Sequence, residues 1–256
     1  MNDTEYDRMA SVEGDHWWYR GFRGLIEQLL VRFRPNIAAA PRVLDAGCGT
    51  GENLRLLRSR LVPGYLGGFD ASVRAVAYSR VKAPDADVYV SDLCNPEIRV
   101  PVLDLILCAD VIYMTGLLPA LPGLRMLVSR LSSGGYLFLH VPAYDWLFSN
   151  HDVSVGTRQR FTRSEIRTLL DELGLVRELL TYRMSLLFPL IVLARLPSIV
   201  FGAAVGRSLA NKSDLKLPSR WVNACLTRVV HLESWLIARG VCFICGSSIV
   251  AVGRKP

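Results

Sequence analysis

The sequence predicts an α/β fold: a seven-stranded, mostly parallel sheet with helices on both faces and a helical insertion before the last strand. Three observations carry that expectation. Apolar strand-like runs alternate with amphipathic helical patterns over about the first 180 residues, the rhythm of a parallel sheet covered on both sides. The first such run, Arg42–Ala46, ends at the glycine-rich turn Gly47-Cys-Gly-Thr-Gly51, where an open sheet presents a loop to its ligand. A strongly apolar stretch at 184–206 then breaks the rhythm before a final strand-like run at 246–253.

Taken in order, residues 52–60 read as a helix with Leu54, Leu56, Leu57 and Leu61 on its apolar side. A strand at 65–70, a helix at 72–82 and strands at 87–91 and 103–109 follow. Residues 121–131 are helical in pattern, and Ser132-Ser-Gly-Gly135 supplies a C-terminal cap before a strand at 136–141. A polar and aromatic loop runs from Pro142 to Thr162. There Thr162-Arg-Ser-Glu165 has the spacing of a capping box that opens a helix to Leu173. A strand at 175–182, a polar connector at 212–220 and an amphipathic helix at 221–239 complete the reading. The expected organisation is a helical N-terminal cap (1–40), a core (41–183), an apolar and helical insertion (184–245) and a closing strand (246–256).

With 256 residues, 51% of them hydrophobic, the chain can bury the core of one globular unit. Its formal net charge of +7 raises nucleic acid, anionic lipid and phosphorylated small molecules as partners. The basic residues are dispersed, with local groups at Arg55, Arg58, Arg60 and at Arg158, Arg160, Arg163. No concentrated basic and aromatic groove is visible, which argues against nucleic acid.

Several of the six cysteines fall in apolar runs, a pattern suited to a reducing cytoplasm. Cys242 and Cys245 have a metal-site spacing but no second pair, so no metal is expected. The acidic, polar N-terminus lacks a secretory pattern. The stretch 184–206 is interrupted by Pro189, Arg195 and Pro197, leaving each half too short to span a membrane. It reads as a core element, an apolar acceptor wall or a helix in peripheral contact with a membrane.

The chemistry concentrates at strand ends. Gly47, Gly49 and Gly51 let the backbone turn sharply and approach a ligand closely. The dinucleotide fingerprint needs a third glycine where this chain has Glu52, and Asp45 would repel a pyrophosphate but suit an ammonium group. Asp70, 25 residues beyond Asp45, can accept from both hydroxyls of an unphosphorylated ribose. Asp92 can accept from an exocyclic adenine amine. Together the three carboxylates describe a ligand with an amino group, a ribose and an adenine.

The segments 43–51, Gly68-Phe-Asp-Ala-Ser72, Ser91-Asp-Leu93 and 105–112 resemble the successive cofactor-binding motifs of class I S-adenosylmethionine (SAM)-dependent methyltransferases, enzymes with a Rossmann-like sheet. His16-Trp-Trp-Tyr-Arg20, 142–147, His151-Asp152 and 246–253 resemble a bacterial subgroup of that family, so the likeness covers nearly the whole chain. The resemblance implies that Gly47, Cys48 and Gly49 line the methionine part of SAM. It also implies that Asp70, with Ala71 and Ser72, holds the ribose, and that Asp92 and Leu93 hold the adenine. Ala109, Asp110 and Val111 would border the sulfonium, with Tyr19 and Arg23 closing over the cofactor. One departure stands out: Thr157 and Gln159 occupy a loop where related proteins often carry a histidine and a paired arginine.

The reaction so implied moves a methyl group from SAM and leaves S-adenosylhomocysteine (SAH); the apolar character of 184–206 suggests that the acceptor is small and hydrophobic. A sulfonium needs mainly an aligned nucleophile and the exclusion of water. Where a base is required, His140, Tyr144, His151 and Asp152 are the candidates. Two rivals compete: a nicotinamide-dependent oxidoreductase, and a noncatalytic SAM-binding or membrane-surface protein.

Overall fold

The computed structural model describes residues 3–196 and 217–256. The expected elements at 197–206 and 212–216 lie outside the described residues. Strands β1 (Arg42–Ala46), β2 (Tyr65–Asp70), β3 (Asp87–Val90), β4 (Leu103–Ala109), β5 (Leu131–Pro142), β6 (Val176–Arg183) and β7 (Ser248–Arg254) form one sheet in the order β3-β2-β1-β4-β5-β7-β6. The first five pair in parallel, and β7 is antiparallel to both β5 and β6.

The central strands read as unbroken apolar runs because both faces are covered. In β1, Leu44 joins a core with Leu124 and Leu127 of helix α6 (Leu117–Ser129) and Ile166 and Leu169 of helix α8 (Arg163–Glu172). Its neighbour Val43 joins the opposite core. There helices α2 (Trp17–Phe33), α3 (Glu52–Leu61) and α4 (Val73–Lys82) contribute Leu25, Leu57 and Val76. Helix α10 (Arg220–Ala238) lies against α2 and adds Ile237 to the same core.

Local chemistry sets the helix starts. The Ser72 side chain caps α4 by accepting from the Ala75 N–H, and the Thr162–Glu165 capping box is formed at α8. At α2 the His16 ring accepts from the Trp18 N–H at 3.3 Å.

Some boundaries differ from expectation. The helix expected at 121–131 begins at Leu117, because Gly116, at φ 86°, separates it from the short helix α5 (Ile112–Thr115) and frees the chain to start again. Ser132-Ser-Gly-Gly135 belongs to β5 and is not a cap. Gly134 donates to the Lys255 carbonyl and Gly135 accepts from the Lys255 N–H, so these residues are drawn into pairing. Helix α1 (Asp3–Val12) lies within the stretch expected as a helical cap, in a segment given no helix of its own, and helix α7 (Asn150–Val155) forms inside the expected loop. Between β6 and β7, a further helix, α9, is described over 188–196.

Candidate active site

The carboxyl ends of β1 to β4 and the segments leading into and out of β5, β6 and β7 enclose one cavity of about 1190 Å³. Gly47, Cys48, Gly49 and Thr50 form its floor on one side, and Asp70, Ala71, Ser72, Asp92 and Leu93 continue that wall. Ala109, Asp110 and Val111 stand at the middle, with Tyr19 and Arg23 of α2 above. Most of the residues expected to hold the cofactor are thus brought together.

Asp45 and Gly51 lie behind this wall. The Asp45 carboxyl is buried, and neither of its oxygens has a hydrogen-bond partner among the described residues. Burial, with the charge of Asp70 adding to it, pushes its pKa up to about 8. A buried, unpartnered acid beneath the glycine loop fits a cationic ligand group above it. Gly51 has a packing role: at φ 91° it caps α3, and a Cβ there would stand 2.7 Å from the Ser79 backbone. At Gly47, φ 83°, a Cβ would come within 2.1 Å of Val111. The loop therefore requires glycine on both counts.

Asp70 accepts from the Gly49 N–H at 3.0 Å, the Ser72 N–H at 2.9 Å and the Tyr6 phenol at 3.1 Å. Burial nonetheless raises its proton affinity above the ordinary value. Helix α1 roofs this end of the cavity through Tyr6 and Met9, which sequence reasoning missed. Just beyond it, Glu13 accepts from the Thr50 hydroxyl at 2.5 Å and pairs with Lys82, and its carbonyl accepts from Arg23 at 2.8 Å. The available signal was the spacing of Tyr6, Met9 and Glu13 on one helical face, after the acidic first turn of Asp3 and Glu5. The Tyr19 phenol is pushed well above its usual range by burial and the nearby Glu13 and Asp110 charges.

The expected bases are placed differently from one another. His140, at the end of β5, is buried and outside the cavity lining. Its Nδ1 lies 2.9 Å from Asp110 Oδ2, and Phe22 and Trp18 pack around the ring. Asp110 is the member of that pair that faces the cavity, on a backbone at φ 54° that a non-glycine residue rarely adopts. Tyr144 stacks between Tyr182 and Trp146, away from the cavity. His151 falls in α7, and its side chain lies outside the described residues.

Asp152 lines the cavity, but its oxygens accept from the Ser149 N–H and hydroxyl and from Arg160 Nε and Nη2 at 2.9–3.2 Å. Although burial opposes it, the Arg160 charge holds this carboxyl below the usual range. An acid so saturated organises a loop and is poorly suited to take up a proton. The Thr157–Gln159 departure also has a structural use, since Gln159 Oε1 accepts from the Leu117 N–H at 2.8 Å and anchors α6. Among the described residues no group of three or more His, Cys, Asp or Glu could hold a metal, and no helix is long and apolar enough to cross a membrane.

Comparison with known proteins supplies the remaining finding. Residues 17–179 match a family model described as a methyltransferase domain. A trans-aconitate 2-methyltransferase of Variovorax paradoxus is 30% identical over 122 residues, 45% of this chain; the match spans 43% of that protein's length. A chain of the Haloferax volcanii complex containing the Trm112 methyltransferase activator superposes with a TM-score of 0.61 at 20% identity, over 99% of this chain and 95% of that one. A SAM-dependent methyltransferase of Mesorhizobium loti gives 0.56 at 14% identity, over 89% and 98%. These superpositions show a common fold. The family match runs from α2 through the glycine loop and into β6, and with it the chain belongs to the methyltransferase-domain family, among the class I SAM-dependent methyltransferases.

Proposed function

We propose that the protein moves a methyl group from SAM to a small acceptor with an apolar body, seated at the β5–β7 half of the cavity. The carrying observation is the continuity of that cavity from the Gly47–Gly49 loop to Pro142, Met184, Ile191 and Ser248. At about 1190 Å³ it exceeds the roughly 300–1,000 Å³ of a one-ligand pocket, so donor and acceptor can share it.

The cofactor wall is acidic, with Asp70, Asp92, Asp110, Glu13 and Glu52 all lining it. That charge suits a ligand bearing a sulfonium and an ammonium. It disfavours the pyrophosphate of a nicotinamide cofactor. When bound, SAM supplies an electrophilic methyl group on sulfur. Asp70 would hold the ribose, Asp92 and Leu93 the adenine, and Asp45, beneath the loop, would balance the ammonium. Tyr19 presents an aromatic face suited to a cation. Trp17, Trp18 and Phe22 also line the cavity and exclude water, which strengthens the pull of each of these charges. Where the acceptor must lose a proton, Asp110 is the group placed to take it, and His140 fixes the orientation of its carboxylate.

The test has two stages. SAM and SAH should each raise the melting temperature while NAD leaves it unchanged; stabilisation by NAD alone would overturn the cofactor assignment. Transfer of labelled methyl to a panel of apolar acceptors would then separate an enzyme from a binding protein. Contact with a membrane surface is supported by one observation, Leu190 and Leu193 of α9, each 61% exposed. Cosedimentation with liposomes, lost on changing both to Ser, would test it.

A further inference from the structure

A second cleft, of about 240 Å³, lies at the edge of the sheet. Arg177 and Glu178 line it from β6, the edge strand, which has β7 on one side only. Arg32 of α2 reaches it from one face of the sheet, and Arg163 and Arg167 of α8 reach it from the other. It shares no lining residue with the large cavity.

Four arginines thus meet one glutamate, and that glutamate is already engaged: Glu178 accepts from Arg254 Nε at 2.7 Å. Arg177 Nε lies 3.3 Å from Asp171. Arg32 donates to the Ile237 carbonyl at 3.2 Å and lies over the Phe33 ring. Neither Arg163 nor Arg167 pairs with a carboxylate among the described residues. Arg163 Nε is moreover shut off from solvent with no hydrogen-bond partner.

Charged side chains on an edge strand keep other strands away. That role needs charge on the strand itself, whereas three of these four arginines come from helices on opposite faces. The β6–β7 register also shifts between Arg177 and Leu179, a bulge of the kind that re-aims side chains at a sheet edge. Like charges converging on one cleft repel, and an enclosed donor without an acceptor is costly. An oxyanion seated among them relieves both.

We propose that this cleft binds a phosphate group. Guanidinium forks match phosphate oxygens, and a group of charge about −2 answers several arginines at once where a carboxylate answers fewer. The cleft is smaller than the roughly 300–1,000 Å³ that encloses a whole ligand. It therefore takes free phosphate, or the phosphate of a larger molecule whose body stays outside. The site stands independently of the methyltransferase reading.

The experiment titrates the full chain by calorimetry, at constant ionic strength and pH 8, with inorganic phosphate, dihexanoyl phosphatidic acid and acetate. At least one phosphate probe should bind saturably and tenfold or more tightly than acetate, and the tighter of the two names the source. In the Arg163→Gln, Arg167→Gln double variant that binding should weaken at least fivefold, with the lysine pair keeping part of it. Arg167→Gln alone, at an exposed position, should weaken it at least twofold without risk to the fold. Adding SAH should leave the phosphate affinity within twofold. No saturable binding of either phosphate probe, acetate binding as tightly, affinity intact in the double variant, or mutual exclusion with SAH would each overturn the proposal.

Discussion

The Tyr6 phenol donates to Asp70 Oδ1 at 3.1 Å, so a side chain of α1 occupies the carboxylate expected to receive the ribose hydroxyls. Two donors then compete for one acceptor. A hydrogen bond to a charged group contributes about 1.5–3 kcal/mol. Tyr6→Phe should therefore tighten SAH binding by about ten- to a hundredfold and speed its association, while lowering the stability of the ligand-free protein by about 1.5–3 kcal/mol. Calorimetry and stopped-flow binding check both; weaker binding in the variant would show that Tyr6 holds the cofactor in place.

Asp45 links pH to stability and to binding. Its folded pKa is raised to about 8, whereas in the unfolded chain it ionises near pH 4. Between those values the unfolded state binds fewer protons, so this group's contribution to stability falls as pH rises from about 4 to about 8 and is then constant. Asp45→Asn should be more stable than wild type above pH 8, and the difference should vanish below pH 4. Denaturant titrations at several pH values measure it.

The same carboxyl must ionise to meet an ammonium group. SAH affinity should rise with pH up to about pH 8, by at most about tenfold per unit, and Asp45→Asn should bind weakly with little pH dependence. Calorimetry in buffers of different ionisation enthalpy should show proton release in wild type only.

Gly47→Ala places a Cβ 2.1 Å from Val111 on a backbone at φ 83°. The left-handed penalty and overpacking together predict a loss of about 2–4 kcal/mol, read as a lower denaturation midpoint and reduced SAH binding.

Asp152→Asn leaves the buried Arg160 without its counter-charge, which predicts a loss of about 3–5 kcal/mol. In wild type the folded pKa of Asp152 is depressed, so its contribution is complete above the unfolded value near pH 4 and is lost as pH falls through the folded value. The difference between wild type and variant should shrink in acid.

The cofactor half was legible because its strands are short apolar runs that stop at Ala46, Asp70 and Ala109, and a strand end fixes where its next residues face. Asp45 itself was read one layer too far forward: alternation along a strand does not tell which end residue the loop will cover. The acceptor half was harder to read. Arg160 and Asp152 meet only because α7 folds back inside a segment whose composition signals a loop, and Arg195 joins them from beyond β6. Such a meeting depends on tertiary contacts. The part that α1 plays in the site was overlooked for a related reason, since its buried Tyr6 and Glu5 look like surface residues until the glycine loop is placed beneath them.

β7 is the last strand in sequence order yet lies between β5 and β6. During synthesis from the N-terminus, β1 to β5 can assemble before it exists. β6 then has no sheet neighbour until residues 248–254 slide into the gap and pair on both edges. A nascent chain paused at about residue 240 should therefore already display a protected glycine loop beside an open sheet edge. Growth of the acceptor wall is thus a late, cooperative event, and sequence change in the 184–247 segment can alter it while the donor half, already folded, is left as it was.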